Sequence, residues 1–280
     1  MTNMPKTIQI FLPDGSARSI RIAEITSRTV QAVLIPRSKL KESERRDEVK
    51  NVGIYFLFGE SDDGVKPIVY IGEAEDCYNR LKQHNATKDF WNISVVVTSK
   101  TYSFTKAHVK YLEWYCYQTA KNIDRFQIEN SSIPTKPYIS EPMEADLMDN
   151  FETMRILLST LGFPIFEEIS KSKTKKEILY CKGKDASAEG EYIDDGFVVF
   201  KNSIANLNET KTAGSWVKGM RQKLKDSGIL VQENNVLIFT SDYILKSPST
   251  AAATVLGRRA NGWTEWQDKE GKTLDELKRK

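Results

Sequence analysis

Residues 52–58 read Val-Gly-Ile-Tyr-Phe-Leu-Phe, an unbroken apolar and aromatic run. A run of this length with β-branched and aromatic character predicts a buried strand. Ser61-Asp62-Asp63-Gly64 predicts a turn and Ile68-Val69-Tyr70-Ile71-Gly72 a second strand, so the two close a hairpin. The elements that follow are arranged around it. Residues 75–84 have helical spacing through Tyr78 and Leu81, and residues 93–97 predict a third strand. Residues 105–121 carry Val109, Leu112, Cys116 and Ala120 at helical intervals, which predicts a long amphipathic helix. Residues 131–142 hold three prolines and predict a loop. Residues 145–161 predict another helix, closed by Gly162.

Both flanks differ from this middle part. Residues 4–35 read as β, with a strand over 7–12, the turn Pro13-Asp14-Gly15-Ser16, and further strands over 19–23 and 30–35. Residues 39–50 are densely charged with balanced signs and predict an exposed helix or linker. The basic run 171–176 predicts a domain junction. Beyond it come strands over 178–182 and 196–201, a basic amphipathic helix over 215–225, and an Ala-rich helix over 249–259. A strand pair over 229–231 and 236–240 turns across Glu233-Asn234-Asn235.

Composition removes several function classes. Lys and Arg total 41 against 38 Asp and Glu, a net of +3, which excludes a histone-like polycation. That charge is uneven: residues 1–170 carry −2 and residues 171–280 carry +5. Two histidines, His84 and His108, exclude a three-histidine zinc centre. Cys77, Cys116 and Cys181 form no CxxC pair and fit a reducing, cytoplasmic setting. No signal-peptide pattern is evident, and no apolar run approaches the ~18 residues of a membrane span. The glycine patterns of P-loops, dinucleotide folds and hydrolase elbows are absent.

One constellation remains. Gly53-Ile54-Tyr55 opens the first hairpin strand and Tyr70-Ile71-Gly72 ends the second. Arg80 and His84, four residues apart, share a helix face. Glu113 lies on the long helix and Asn130 in the loop after it. Taken singly, each has an ordinary explanation: core aromatics, a solvated helix face, and a helix glutamate paired with Lys106 or Lys110. His108 matches no pattern and reads as structural. In this order and spacing the residues resemble the GIY-YIG nuclease family over about residues 51–165.

The resemblance implies an α+β fold with a small sheet of about three strands flanked by helices. Residues 1–50 are then a β-rich extension with a charged linker, and 171–280 a separate small α+β domain. The implied activity is metal-dependent hydrolysis of DNA phosphodiesters, with Glu113 holding Mg²⁺ or Mn²⁺. The implied catalytic residues are Tyr55, Tyr70, Arg80, His84 and Asn130, with Asn122 second choice for the asparagine. Arg80 offers a permanently charged planar fork for phosphate oxygens. One carboxylate suits a Mg²⁺ that keeps most of its waters. A tyrosine needs nearby cations to lower its pKa from about 10, and either Tyr55 or Tyr70 is the candidate base, with His84 as hydrogen-bond partner or relay. Two departures stand out. The hairpin is extended over residues 60–67, and Glu73 stands where some members carry a lysine.

The C-terminal part, through Gly257, Asn261-Gly262-Trp263, Trp266 and Gly271-Lys272-Thr273-Leu274, resembles a domain of unknown function often appended to such nucleases. It also resembles restriction- and methylase-associated modules that read modified DNA. Lys218, Arg221, Lys223 and Lys225 are candidates to follow phosphates, and Trp263 and Trp266 to stack on a base or, more simply, to anchor the core. The expected partner is DNA, in restriction or phage defence. The competing expectations are a DNA-binding protein that does not cleave, and a structure-specific or RNA nuclease.

Overall fold

A computed structural model describes residues 5–62, 64–169 and 178–280. The junction expected at 171–176 and the turn residue Asp63 lie outside the described residues. The chain divides into two units, Met1–Glu167 and Glu168–Lys280.

The first unit begins with β1 (Ile8–Phe11), β2 (Arg21–Ile25) and β3 (Val30–Pro36). The apolar hairpin follows as β4 (Gly53–Glu60) and β5 (Pro67–Ala74). Then come α1 (Cys77–Thr87), β6 (Trp91–Ser99), α2 (Lys106–Ile123), β7 (Gln127–Ile128) and α3 (Glu141–Thr160). One seven-stranded sheet results, ordered β1-β2-β3-β6-β4-β5-β7. Its pairs are antiparallel except β5 with β7.

This sheet corrects the expectation of about three strands, and the β-rich extension supplies part of the difference. The expected three strands, β6-β4-β5, are its middle. Strand β3 pairs with β6 from Val30 opposite Ser99 to Pro36 opposite Ile93, so the N-terminal strands widen the same sheet. The reason is burial: six of the seven β3 residues are buried, and β6 alone would present a long apolar edge. The charged stretch also differs from a solvated helix. It forms three short 3₁₀ turns, and Leu40, Ser43 and Val49 are buried among its charges.

Alternation along β4 sorts the core. Ile54, Phe56 and Phe58 face a cluster that includes Leu112 and Cys116 of α2 and Phe151 and Leu157 of α3. Tyr55 and Leu57 face Cys77, Tyr78 and Leu81 of α1, together with Leu40 and Val49. Two helix starts are fixed by side chains. The Asp76 carboxylate accepts from Asn79 N at 2.9 Å to cap α1. At the start of α2, His108 Nδ1 accepts from Thr105 N at 3.1 Å, which accounts for the second histidine.

The second unit contains β8 (Leu179–Lys182), β9 (Ser187–Ile193), β10 (Gly196–Val199), β11 (Ile204–Asn206) and α4 (Ser215–Asp226). It continues through β12 (Leu230–Glu233), β13 (Val236–Phe239), β14 (Tyr243–Leu245), α5 (Pro248–Leu256), α6 (Gly262–Glu265) and α7 (Leu274–Lys278). Its antiparallel sheet runs β12-β13-β11-β9-β10-β14, with β8 also paired to β9. Ala251, Ala252 and Ala253 are fully buried on α5, where small side chains allow close packing. Trp266 is a core residue, its ring 4.2 Å from Phe197 and its Nε1 donating to Pro248 O. Among the described residues no helix is long and apolar enough to cross a membrane.

Candidate active site

The site grows out of the β4–β5 register. Tyr55 pairs with Gly72 and Leu57 with Tyr70, so both tyrosines project to the α1 side. A Cβ at Gly72 would overlap the Tyr55 ring and hydroxyl and crowd Tyr70. Glycine in the second triplet therefore makes room for the tyrosine of the first. The two rings then lie 6.2 Å apart and 21° from parallel.

Helix α1 brings His84 to both rings, 5.5 Å from Tyr55 and 5.0 Å from Tyr70. The Tyr55 hydroxyl and His84 Nε2 are 2.8 Å apart, and both residues are buried. Burial, and then the charges of Arg80 and Lys88, lower the His84 pKa to about 4, so the imidazole is neutral near pH 7. Burial, and then Tyr70, raise the Tyr55 pKa against the opposing effect of Arg80. Arg80 is exposed, and its hydrogen bond with Tyr55 raises its own pKa. Because a guanidinium only donates, it leaves the Tyr55 proton to be donated to His84 Nε2, which calls for the Nδ1–H tautomer. Gln83 Oε1 accepts from Arg80 at 2.7 Å and steadies the guanidinium.

Glu113 reaches the site from α2. It is half-buried, and its carboxylate makes no hydrogen bond or ion pair among the described residues. Burial, and then Glu73, raise its pKa to about 7, against Lys106, Lys110 and Arg80. Strand alternation sends Ile71 and Glu73 toward α2 while Tyr70 and Gly72 face α1. Arg80 is the group whose charge acts on both sides, on the tyrosines and on Glu113. An unpaired, partly desolvated carboxylate fits a divalent cation, which would relieve the burial that raises its pKa.

Asn130 plays another part. Its Oδ1 accepts from Ile71 N at 3.0 Å and its Nδ2 donates to Ile71 O at 2.7 Å. The parallel β5–β7 ladder pairs Ile68 with Gln127 and Val69 with Ile128, and Glu129 N bonds Val69 O. The Asn130 amide extends that ladder by one step and fixes the backbone between Tyr70 and Gly72. It does not touch the tyrosine hydroxyls through any described contact. Asn122, the other candidate, is exposed near the end of α2.

The structure thus brings Tyr55, Tyr70, Arg80 and His84 together, sets Glu113 within the field of Arg80, and places Asn130 on the backbone behind them. One further residue carries no signal in the motif, and Lys106 takes a partner other than the Glu113 expected of it. Lys88 lies 4.8 Å over the Tyr70 ring, four residues past His84, so it extends the Arg80–His84 spacing by one more step. Lys106 donates to Glu73 Oε2 at 2.8 Å, seven residues before Glu113 on the same helix.

In the second unit the basic helix needs a correction. Arg221 is fully buried. Its guanidinium bonds Glu209 and the carbonyls of Thr254, Asn206 and Leu207. It ties α4 to its surroundings and is not available to phosphates, whereas Lys218 and Lys223 are exposed. One face of Trp263 is covered by Arg279 at 3.4 Å, and Tyr192 packs at its edge.

Residues 179–278 match a family model described as Domain of unknown function (DUF4357), a span that lies within the second unit. No curated protein and no solved structure matches the chain.

Proposed function

We infer that the first unit is a metal-dependent endonuclease that hydrolyses DNA phosphodiester bonds. The observation carrying this reading is Arg80: an exposed guanidinium against two tyrosines that also acts on an unpaired, half-buried carboxylate. Phosphodiester cleavage requires charge neutralisation, a positioned water and a stabilised leaving oxygen. Arg80 supplies a fixed fork for the non-bridging oxygens. Tyr55 stays neutral and, through His84, holds the cluster rigid. Tyr70, half-buried beside Arg80 and under Lys88, is the tyrosine open to solvent and orients the attacking water. Glu113 holds Mg²⁺ or Mn²⁺, which when bound neutralises charge on the phosphate and leaving oxygen. Asn130 fixes the strand that carries Tyr70. The second unit, with its excess of basic residues, holds the duplex through groups such as Lys218 and Lys223. Work in restriction or phage defence, including discrimination of modified DNA, belongs to the same reading.

The test is incubation of purified protein with supercoiled plasmid and Mg²⁺ or Mn²⁺. Wild type is expected to nick or linearise it. Glu113→Gln and Arg80→Ala are each expected to lose roughly 10²–10³-fold in rate while still retarding DNA on a gel. If wild type and Glu113→Gln both leave plasmid intact while both retard it, the enzyme reading falls and a DNA-binding protein remains. A preference for single-stranded RNA would overturn the duplex-DNA assignment. Repeating the assay on methylated plasmid tests discrimination of modification.

A further inference from the structure

Glu73 projects toward α2 and its side chain is only 13% exposed. Its Oε2 accepts from Lys106 Nζ at 2.8 Å. Lys106 and Glu113 stand seven residues apart on α2, about two turns along one face of the helix, and Glu73 and Lys106 act electrostatically on Glu113 in opposite senses. Two carboxylates therefore lie on the same side of the sheet, one from β5 and one from α2, and the first is neutralised by a lysine from the helix that carries the second. Left free, the pair would hold a divalent cation more tightly, but the added negative charge would repel an incoming phosphate.

We propose that Lys106 is a positioning residue that locks Glu73 away from the cation, so that Glu113 alone binds it and the site stays open to an anionic substrate. The lock rests on the nuclease reading of this site, but its first readout is cation affinity, which needs no turnover. Glu73 and Lys106 lie at opposite ends of a bond between β5 and α2, so the lock also fixes that helix beside the tyrosine strand.

Mn²⁺ affinity of the full chain is measured by the paramagnetic signal of the free ion, with cleavage of supercoiled plasmid in parallel. Lys106→Met frees Glu73 and is expected to tighten Mn²⁺ binding roughly three- to tenfold while slowing cleavage at least tenfold. Lys106→Arg, which keeps the charge, is expected to stay near wild type in both. Glu73→Gln is expected to weaken Mn²⁺ binding, and Glu73→Gln with Lys106→Met to return it to the wild-type value. A purely structural pair would not move affinity and rate in opposite directions. Unchanged or weaker Mn²⁺ binding by Lys106→Met overturns the lock, as does a wild type that binds no Mn²⁺. A wild type that binds Mn²⁺ without cleaving overturns the nuclease reading alone, and the affinities of the variants still decide the lock. Should Lys106→Met fail to fold, because Glu73 is left largely buried without its cation, a Glu73→Gln affinity equal to wild type overturns the proposal.

Discussion

Burial of Tyr55 and His84 decides which groups at the site can change charge. His84 titrates at about 4 when folded, against about 6.5 when unfolded. A base whose folded pKa is lowered contributes stability above pH 6.5 and loses it as pH falls toward 4. His84→Ala leaves the buried Tyr55 hydroxyl without its imidazole partner and is expected to cost about 1–3 kcal/mol, measured by urea unfolding. The pH–rate profile of wild type should show no histidine limb near 6.5. Glu113 has the opposite sign. Its folded pKa of about 7 lies above the unfolded value, so stability declines as pH rises from about 4.5 to 7 and is level beyond. Glu113→Gln removes that slope and is expected to gain about 1 kcal/mol at pH 8, after allowance for solvent screening. Equal melting at pH 8 would contradict this. The tyrosines, Arg80, His84, Glu113 and Asn130 were marked out by the resemblance to a nuclease family, and the structure brings the first four side chains together. Their division of labour was not marked out, because it depends on which groups the fold buries. The Lys106–Glu73 bond joins residues 33 apart and leaves no local pattern.

Among the elements, β5 carries the most consequence. Its far half is held by a side-chain amide in place of a third ladder partner. Asn130→Asp replaces a donor with an acceptor against Ile71 O and is expected to destabilise by about 1–3 kcal/mol and to slow cleavage without altering DNA retention. Gly72→Ala forces a methyl into the Tyr55 ring and is expected to cost about 1–3 kcal/mol as overpacking. On α4 the identical charges of neighbouring residues lead to different outcomes. Arg221→Ala removes a buried cation, leaves Glu209 with Lys225 alone as its cation and takes a donor from three carbonyls, for an expected loss of about 3–5 kcal/mol. Lys218→Ala and Lys223→Ala should stay within about 0.5 kcal/mol of wild type and each lower the salt dependence of DNA binding by about one unit. The helix itself was readable from its period. That Arg221 faces inward was not, since an arginine satisfied by carbonyls looks the same in sequence as one in water. The 3₁₀ turns of residues 37–50 were missed for a related reason, their few buried residues being spread among many charges.

For the whole molecule, the division of charge between the two parts was visible in the sequence, and the width of the first sheet was not. Strand pairing is non-local, and nothing in residues 30–36 names residues 93–99 as its partner. Deleting residues 1–36 exposes the β6 edge, and the product is expected to aggregate when size-exclusion chromatography is run, whereas a dispensable extension would elute as a monodisperse species. The same pairing orders events in time. The β4–β5 hairpin joins residues close in sequence and can form as soon as it leaves the ribosome. Strand β3 must wait until residue 99 has been made, with its apolar side chains exposed meanwhile. Residues 30–36 are thus made well before the strand that covers their edge, and the chain is most open to chaperone capture in the interval between residues 36 and 99.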